Sequence, residues 1–250
     1  MRRDAALLGA AELGAEPVLR LFGFVPPGIT LGLSQDPARE LDLARCAADG
    51  VPWAVRPTGG RAIFHAQEWT YALAAPLDDH DWGGRLRDSY ARTSALIIRS
   101  LLRLGVPAAF APRTGHEPPP RVRSLSGPAA PCFASAARHE VLLGDGKLVG
   151  SAQRRTARGL LQQGSVLLGP GHLRLADYLP LPEPQRQRVR TALARATATA
   201  APWLGIEPPL ERWADALIAE LGARSRRTDA AAGAFLLTGP TSDSYTAPAV

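Results

Sequence analysis

Apolar positions recur along the chain with two periods. Over 86–104, Tyr90, Ser94, Ile97, Leu101 and Leu104 fall three or four residues apart, with Arg92, Arg99 and Arg103 elsewhere on the cylinder. That spacing predicts an amphipathic helix, and Gly105 supplies its stop. Further helices are expected over 3–14, over 36–48 ending near Gly50, over 185–199, and over 209–221 closed by Gly222. Between them, short apolar runs bounded by glycine and proline read as strands: VLRLFGF (18–24), ITLGLSQ (29–35), TYALAAP (70–76) and RGLLQQGSVLLG (158–169). VPAAFAP (106–112) reads as a buried strand, and Pro26, Pro27 and Gly28 form the turn joining the first two strands. WAVRPTGGRAIFH (53–65) gives strand, glycine turn, strand. RHEVLLGDGKLVGSAQRR (138–155) is a hairpin about Gly144-Asp145-Gly146, because Asp-Gly favours positive-φ turn geometry.

The periodicity stops twice. Residues 112–131 form a proline-rich stretch expected to run over the surface as a loop and deliver the chain to Cys132. From Ala223 the composition drifts to Arg, Ala, Ser and Thr without a period, so 1–222 is expected to be one domain and 223–250 a disordered tail. A 250-residue chain needs no disulfide or metal to complete its core.

The formal net charge is +6, but the arginines are scattered and not interleaved with aromatics. Nucleic-acid binding is therefore not expected, while an acidic protein partner suits the charge. No apolar run approaches the roughly 20 residues of a membrane helix. MRRDAALLGAAELGAE lacks the apolar core of a secretory leader, so a cytoplasmic protein is expected. With only Cys46 and Cys132, neither a structural disulfide nor a zinc site is expected, and one of them can serve as a reactive thiol.

Of the 29 basic residues all but Lys147 are arginine, which makes the one lysine conspicuous. A compact ammonium can sit beside a sulfur, favour thiolate over thiol, and polarise a carbonyl oxygen. Cys132 precedes the hairpin that carries Lys147, which allows the two side chains to meet across paired strands. Gly150, Ser151 and Ala152 beside the lysine either leave room for a slender ligand or mark close strand packing. Gly59 and Gly60 either let a backbone approach a ligand or make a tight turn. His65 reads as a core or rim histidine as readily as a functional one. Ser135 and His139 lie near Cys132, but no spacing nominates an acid to complete a serine triad.

RPTGGRAIFH, CF, GDGKLVGSAQRR and LLQQGSVLL, in this order, resemble the biotin/lipoate protein ligase catalytic domain, most closely its cysteine-dependent octanoyltransferases related to lipoate-protein ligase A. The resemblance runs from Asp4 to the helix near Leu221. It implies an α/β fold of the α+β type, with mixed, largely antiparallel sheets and packed helices. It implies an acyl pocket walled by Arg56, Gly59, Gly60, Arg61 and His65 together with Gly150, Ser151, Ala152 and Gln153. Cys132 would carry the acyl thioester, and Lys147 would assist it and contact the acyl carbonyl. The implied reaction moves octanoyl from acyl carrier protein to a lysine of lipoyl domains or the glycine cleavage H protein, with no metal and no cofactor. The alternatives are an amidotransferase using the same thioester and a lipoate-protein ligase, the latter requiring ATP and Mg. Two positions depart from the family pattern: Gln163 stands where histidine is frequent, and Ala66 where an aspartate commonly follows the histidine.

Overall fold

The structure, a computed structural model, describes residues 1–111, 140–222, 225–229 and 234–237. The longest strand pair is β5 (Glu68–Pro76) with β9 (Gly159–Leu167), antiparallel over nine residues whose side chains are buried on both faces. Small and apolar residues dominate both, as a strand covered on two sides requires. On one side of this pair β1 (Val18–Phe22) joins β5; on the other β8 (Gly146–Arg155) joins β9, followed by β7 (Val141–Leu143) and β6 (Ala109–Phe110). The outer edge of β1 is covered by β10 (Ser225–Asp229) and β11 (Ala234–Leu237), which complete an eight-stranded antiparallel sheet among the described residues.

One face of the large sheet is packed by α4 (Leu86–Arg103) and α7 (Leu210–Leu221). Ile97, Leu101, Trp213 and Leu217 meet Leu19, Leu21, Tyr71 and Leu73 in the larger core. Trp213 stacks on Trp69 at 5.3 Å and donates its indole N–H to Ser100, so its one polar atom is satisfied inside the core. The other face is covered in part by α1 (Arg2–Glu12), where Leu8 and Ala11 rest on Ala72, Ala74 and Leu161. The rest of that face supports a three-stranded sheet of β3 (Trp53–Val55), β2 (Gly28–Leu31) and β4 (Ile63–His65). Behind it lie a 3-10 segment (Pro170–Tyr178) and α5 (Glu183–Ala196), which close a second core around Ile29, Leu31, Phe64, Leu175 and Val189.

The expected fold class holds, with several differences in detail. The strands around Pro26 and Pro27 are not a hairpin, because β1 lies in the large sheet and β2 in the small one. The strands flanking the glycine loop also do not pair with each other: β3 runs parallel to β2 and β4 antiparallel to it, so the loop arches over β2. The helix expected over 36–48 breaks into α2 (Pro37–Glu40) and α3 (Leu43–Ala48), because Asp36 and Asp42 each cap a new start. VPAAFAP contributes only the two exposed residues of β6, although Val106 and Ala108 do enter the core. The 3-10 segment and α6 (Ala201–Leu204) carried no periodicity long enough to read. Within the expected tail, β10 and β11 are strands, contrary to the expectation of disorder there; the remainder of 223–250, like Cys132 and the proline-rich loop, lies outside the described residues.

Candidate functional site

The register of the large sheet lays out the floor of a pocket. Thr70, Ser165 and Gly150 form one row across β5, β9 and β8, and Ala72, Gln163 and Ala152 form the next. Glycine and alanine in β8 leave this part of the sheet without side-chain bulk. The roof is the three-stranded sheet with its loop, contributing Thr30, Ile63, His65 and Arg56, and Met1 and Phe24 close the sides. The space between floor and roof comes to about 370 Å³ when the open solvent at its mouth is included.

Arg56 holds the roof. It is buried, and its guanidinium donates to the carbonyls of Gly59, Arg61 and Thr30 and to Thr30 Oγ1. A planar fork with five donors suits this one-to-many role. Gly60, at φ +94°, brings its carbonyl against Gly32, where an added Cβ would fall 2.0 Å from the oxygen. The paired glycines thus serve, in part, an approach of backbone to backbone.

His65 lies at the centre of a buried polar chain. Its Nδ1 donates to Glu68 Oε1 at 2.6 Å, and its Nε2 is 2.6 Å from Thr30 Oγ1. Glu68 Oε1 also accepts from Thr70 Oγ1 and Ser165 Oγ. Phe24 stacks on the imidazole at 3.9 Å, fixing the ring plane. Ala66 offers the imidazole no carboxylate, and the one it meets is Glu68. A second chain starts at Asp4, fully buried, which accepts from Arg20 Nη1 at 2.6 Å and Gln163 Nε2 at 2.7 Å. Gln163 Oε1 in turn accepts from Thr58 Oγ1. Gln163 can donate and accept at once, linking helix to loop.

Lys147 lies on β8 three residues before Gly150 and does not itself line the pocket. A register irregularity between β7 and β8 lets Leu148 and Val149 both enter the larger core, although successive strand residues normally point to opposite faces. Lys147 is thereby turned to the face that carries Gly150 and Ala152. Its ammonium donates to Glu140 Oε1 at 2.5 Å, and both residues are buried. Beyond this site, burial pushes the His172 imidazole below the ordinary histidine value, opposed by the Gly169 carbonyl and the Glu68 carboxylate.

Of the residues nominated from sequence, Arg56, His65, Gly150, Ser151 and Ala152 line the pocket. Gly59, Gly60 and Arg61 form the loop that Arg56 secures. Gln153 is turned to the other face, where it donates to Gln162 and meets Ser89. Cys132, Ser135 and His139 lie outside the described residues. Thr30, Glu68, Thr70, Ser165, Asp4 and Glu140 were not nominated; the only sequence signals were a carboxylate three residues after His65 and another directly before VLL. Among the described residues no three His, Cys, Asp or Glu side chains converge on a place for a metal ion, and no helix is long and apolar enough to cross a membrane.

Comparison with known proteins places this architecture. The chain is 38% identical over 169 residues to octanoyltransferase LipM of Kyrpidia tusciae, an alignment covering 67% of this chain and 61% of that protein. It is 36% identical to octanoyltransferase LipM of Symbiobacterium thermophilum over 67% of this chain and 60% of that one. The chain therefore spans about three-fifths of the length of these curated relatives. Among solved structures, lipoate-protein ligase A bound with ATP superposes with a TM-score of 0.63 at 18% identity, over 87% of this chain and 76% of that one. The bi-partite lipoate protein ligase of Thermoplasma acidophilum gives 0.63 at 19% identity, over 88% and 78%. At those identities the two structures speak for the fold alone, which is shared. The model of the lipoyl protein ligase A/B catalytic domain matches residues 1–222, from α1 at the pocket's side to the end of α7, and the chain belongs to that family.

Proposed function

We propose that the protein is a cytoplasmic octanoyltransferase of lipoate biosynthesis that works through a thioester on Cys132. The observation that carries this reading is the placement of the single lysine on the strand that supplies Gly150 and Ala152 to the pocket floor. Octanoyl carried on acyl carrier protein enters between the floor and the roof. The Cys132 thiolate attacks the thioester carbonyl, the carrier's thiolate leaves, and the Lys147 ammonium stabilises the oxyanion between them. The neutral ε-amine of a lysine on a lipoyl domain or on glycine cleavage H protein then attacks octanoyl-Cys132. An amide forms, the cysteine leaves as thiolate, and the amine's proton passes to solvent. One thioester is consumed and one amide made, so no ATP is required. The relatives named octanoyltransferase support this reading, as does the formal net charge of +6, which suits acidic carriers.

Cys46 does not compete as nucleophile. Burial, reinforced by Asp42 and Asp49, pushes its thiol up from the ordinary cysteine value, away from the thiolate. The test mixes the protein with octanoyl carrier protein, without ATP, and reads intact mass followed by peptide mapping. An octanoyl adduct on Cys132 that passes to apo H protein is expected, lost in Cys132→Ala and kept in Cys46→Ala. Full-rate transfer by Cys132→Ala would overturn thioester catalysis. Acylation appearing only with lipoate and ATP would make the protein a ligase.

A further inference from the structure

We infer that Glu140 is the positioning residue of the transfer site: its carboxylate holds the Lys147 ammonium on the strand that supplies Gly150 and Ala152 to the pocket floor. The inference rests on the transferase reading, which gives Lys147 its task, and adds a residue to which that reading assigns nothing.

The backbone already fixes where the lysine starts. Lys147 pairs with Leu142 on β7, and on its other side Ala198 N–H donates to the Lys147 carbonyl. Both flanks are thus occupied, and only the long side chain is left to be oriented. Glu140 is fixed in the same way, since Ala111 N–H donates to its carbonyl. Lying one residue before Val141, whose partner is Val149, Glu140 falls opposite Gly150. Glu140, Gly150, Ser165 and Thr70 therefore continue a single row across the sheet, and the row ends at the ion pair.

The pair is a poor device for stability alone. Two ions taken out of water gain little over an apolar pair of similar size, so a buried salt bridge is weak evidence of a stabilising role. It is a good device for orientation. A lysine stem has four rotatable carbons and one point charge at its tip, and a fixed carboxylate at 2.5 Å selects one arrangement of them. An oxyanion is stabilised best by a donor already in place before the charge develops. Glu140 meets that requirement, because its contact with the ammonium is made before any substrate charge develops.

The test compares wild type, Glu140→Ala and Glu140→Gln in the full chain. It follows acyl-adduct formation from octanoyl carrier protein at several carrier concentrations, with melting temperature recorded alongside and formate added in parallel. Expected for Glu140→Ala is an acylation rate lowered by about tenfold to a hundredfold, less than removal of an oxyanion donor itself, with KM for the carrier nearly unchanged. Formate, a carboxylate small enough for the vacated space, should restore part of the rate; a residue serving only the fold would show no such recovery. Glu140→Gln, which keeps size and an acceptor oxygen but loses the charge, should fall between, and it decides the matter if the alanine variant does not fold. Wild-type rates in Glu140→Gln, together with a slow alanine variant that formate does not rescue, would overturn the inference and leave the pair a structural one. If wild type itself takes no octanoyl from the carrier, the transferase reading fails and this inference fails with it; an acylating wild type with unaffected variants sinks this inference alone.

Discussion

At the scale of single residues, Gly32 in ITLGLSQ and Gly59 in RPTGGRAIFH look alike in sequence but differ in their surroundings. A Cβ at Gly32 would sit 2.0 Å from the Gly60 oxygen, backbone against backbone, with no flexible side chain to yield. Gly59 has open space around its missing Cβ. Gly32→Ala is therefore expected to cost about 1–3 kcal/mol, in the range of overpacked interiors. Gly59→Ala should stay within about 0.5 kcal/mol. Denaturant midpoints of the two variants check this contrast, and equal shifts would contradict it. The sequence made Lys147 visible because no other lysine competes with it. Its partner stayed hidden: a glutamate before VLL is as suitable for a surface as for a core, and only the strand irregularity that turns Lys147 over decides between them. Glu68 was hidden for a similar reason, since the turn through Gln67, at φ +54°, is what swings it back onto His65.

At the scale of elements, α4 and α7 touch in two ways that look similarly prominent. Glu220 accepts from both Arg99 and Arg103 near the surface, while Trp213 is fully buried against Trp69, Tyr71 and Ser100. The two contacts differ in worth. Exposed ion pairs contribute at most about 1 kcal/mol, whereas removing a buried aromatic ring costs about 3–5 kcal/mol through lost transfer energy and a cavity. Thermal melts of Glu220→Ala and Trp213→Ala should reproduce that order, and a larger loss for Glu220→Ala would refute it. Elements with a full period of apolar residues, such as α4, α7 and β9, were legible because burial of one face or two dictates their pattern. Pairing was less legible. The strands around the glycine loop are close in sequence, yet both prefer β2, since the Arg56 clamp carries the loop across that strand and not back along β3.

For the whole molecule, the sheet is asymmetric at its two edges. Among the described residues β6 ends one side with two residues, too short to template another chain, but β1 is covered by β11 through pairs such as Val18 with Leu236. Removing residues 223–250 would bare the β1 edge, a row of unpaired backbone groups beside a buried core. The shortened chain is expected to self-associate at concentrations where the full chain does not, as read by light scattering during size exclusion. A truncated chain as dispersed as the full one would show that the edge is harmless. This covering was the least legible part of the fold, because a strand that completes someone else's ladder needs little pattern of its own.

The series from Arg20 through Asp4 and Gln163 to Thr58 has a consequence in time. Its four side chains belong to β1, α1, β9 and the glycine loop, and each depends on the next for its partner. A displacement of α1 would take from Gln163 its acceptor and from the pocket its wall at Met1 together, so backbone amide exchange in the first helix and in the roof loop is expected to share one opening rate.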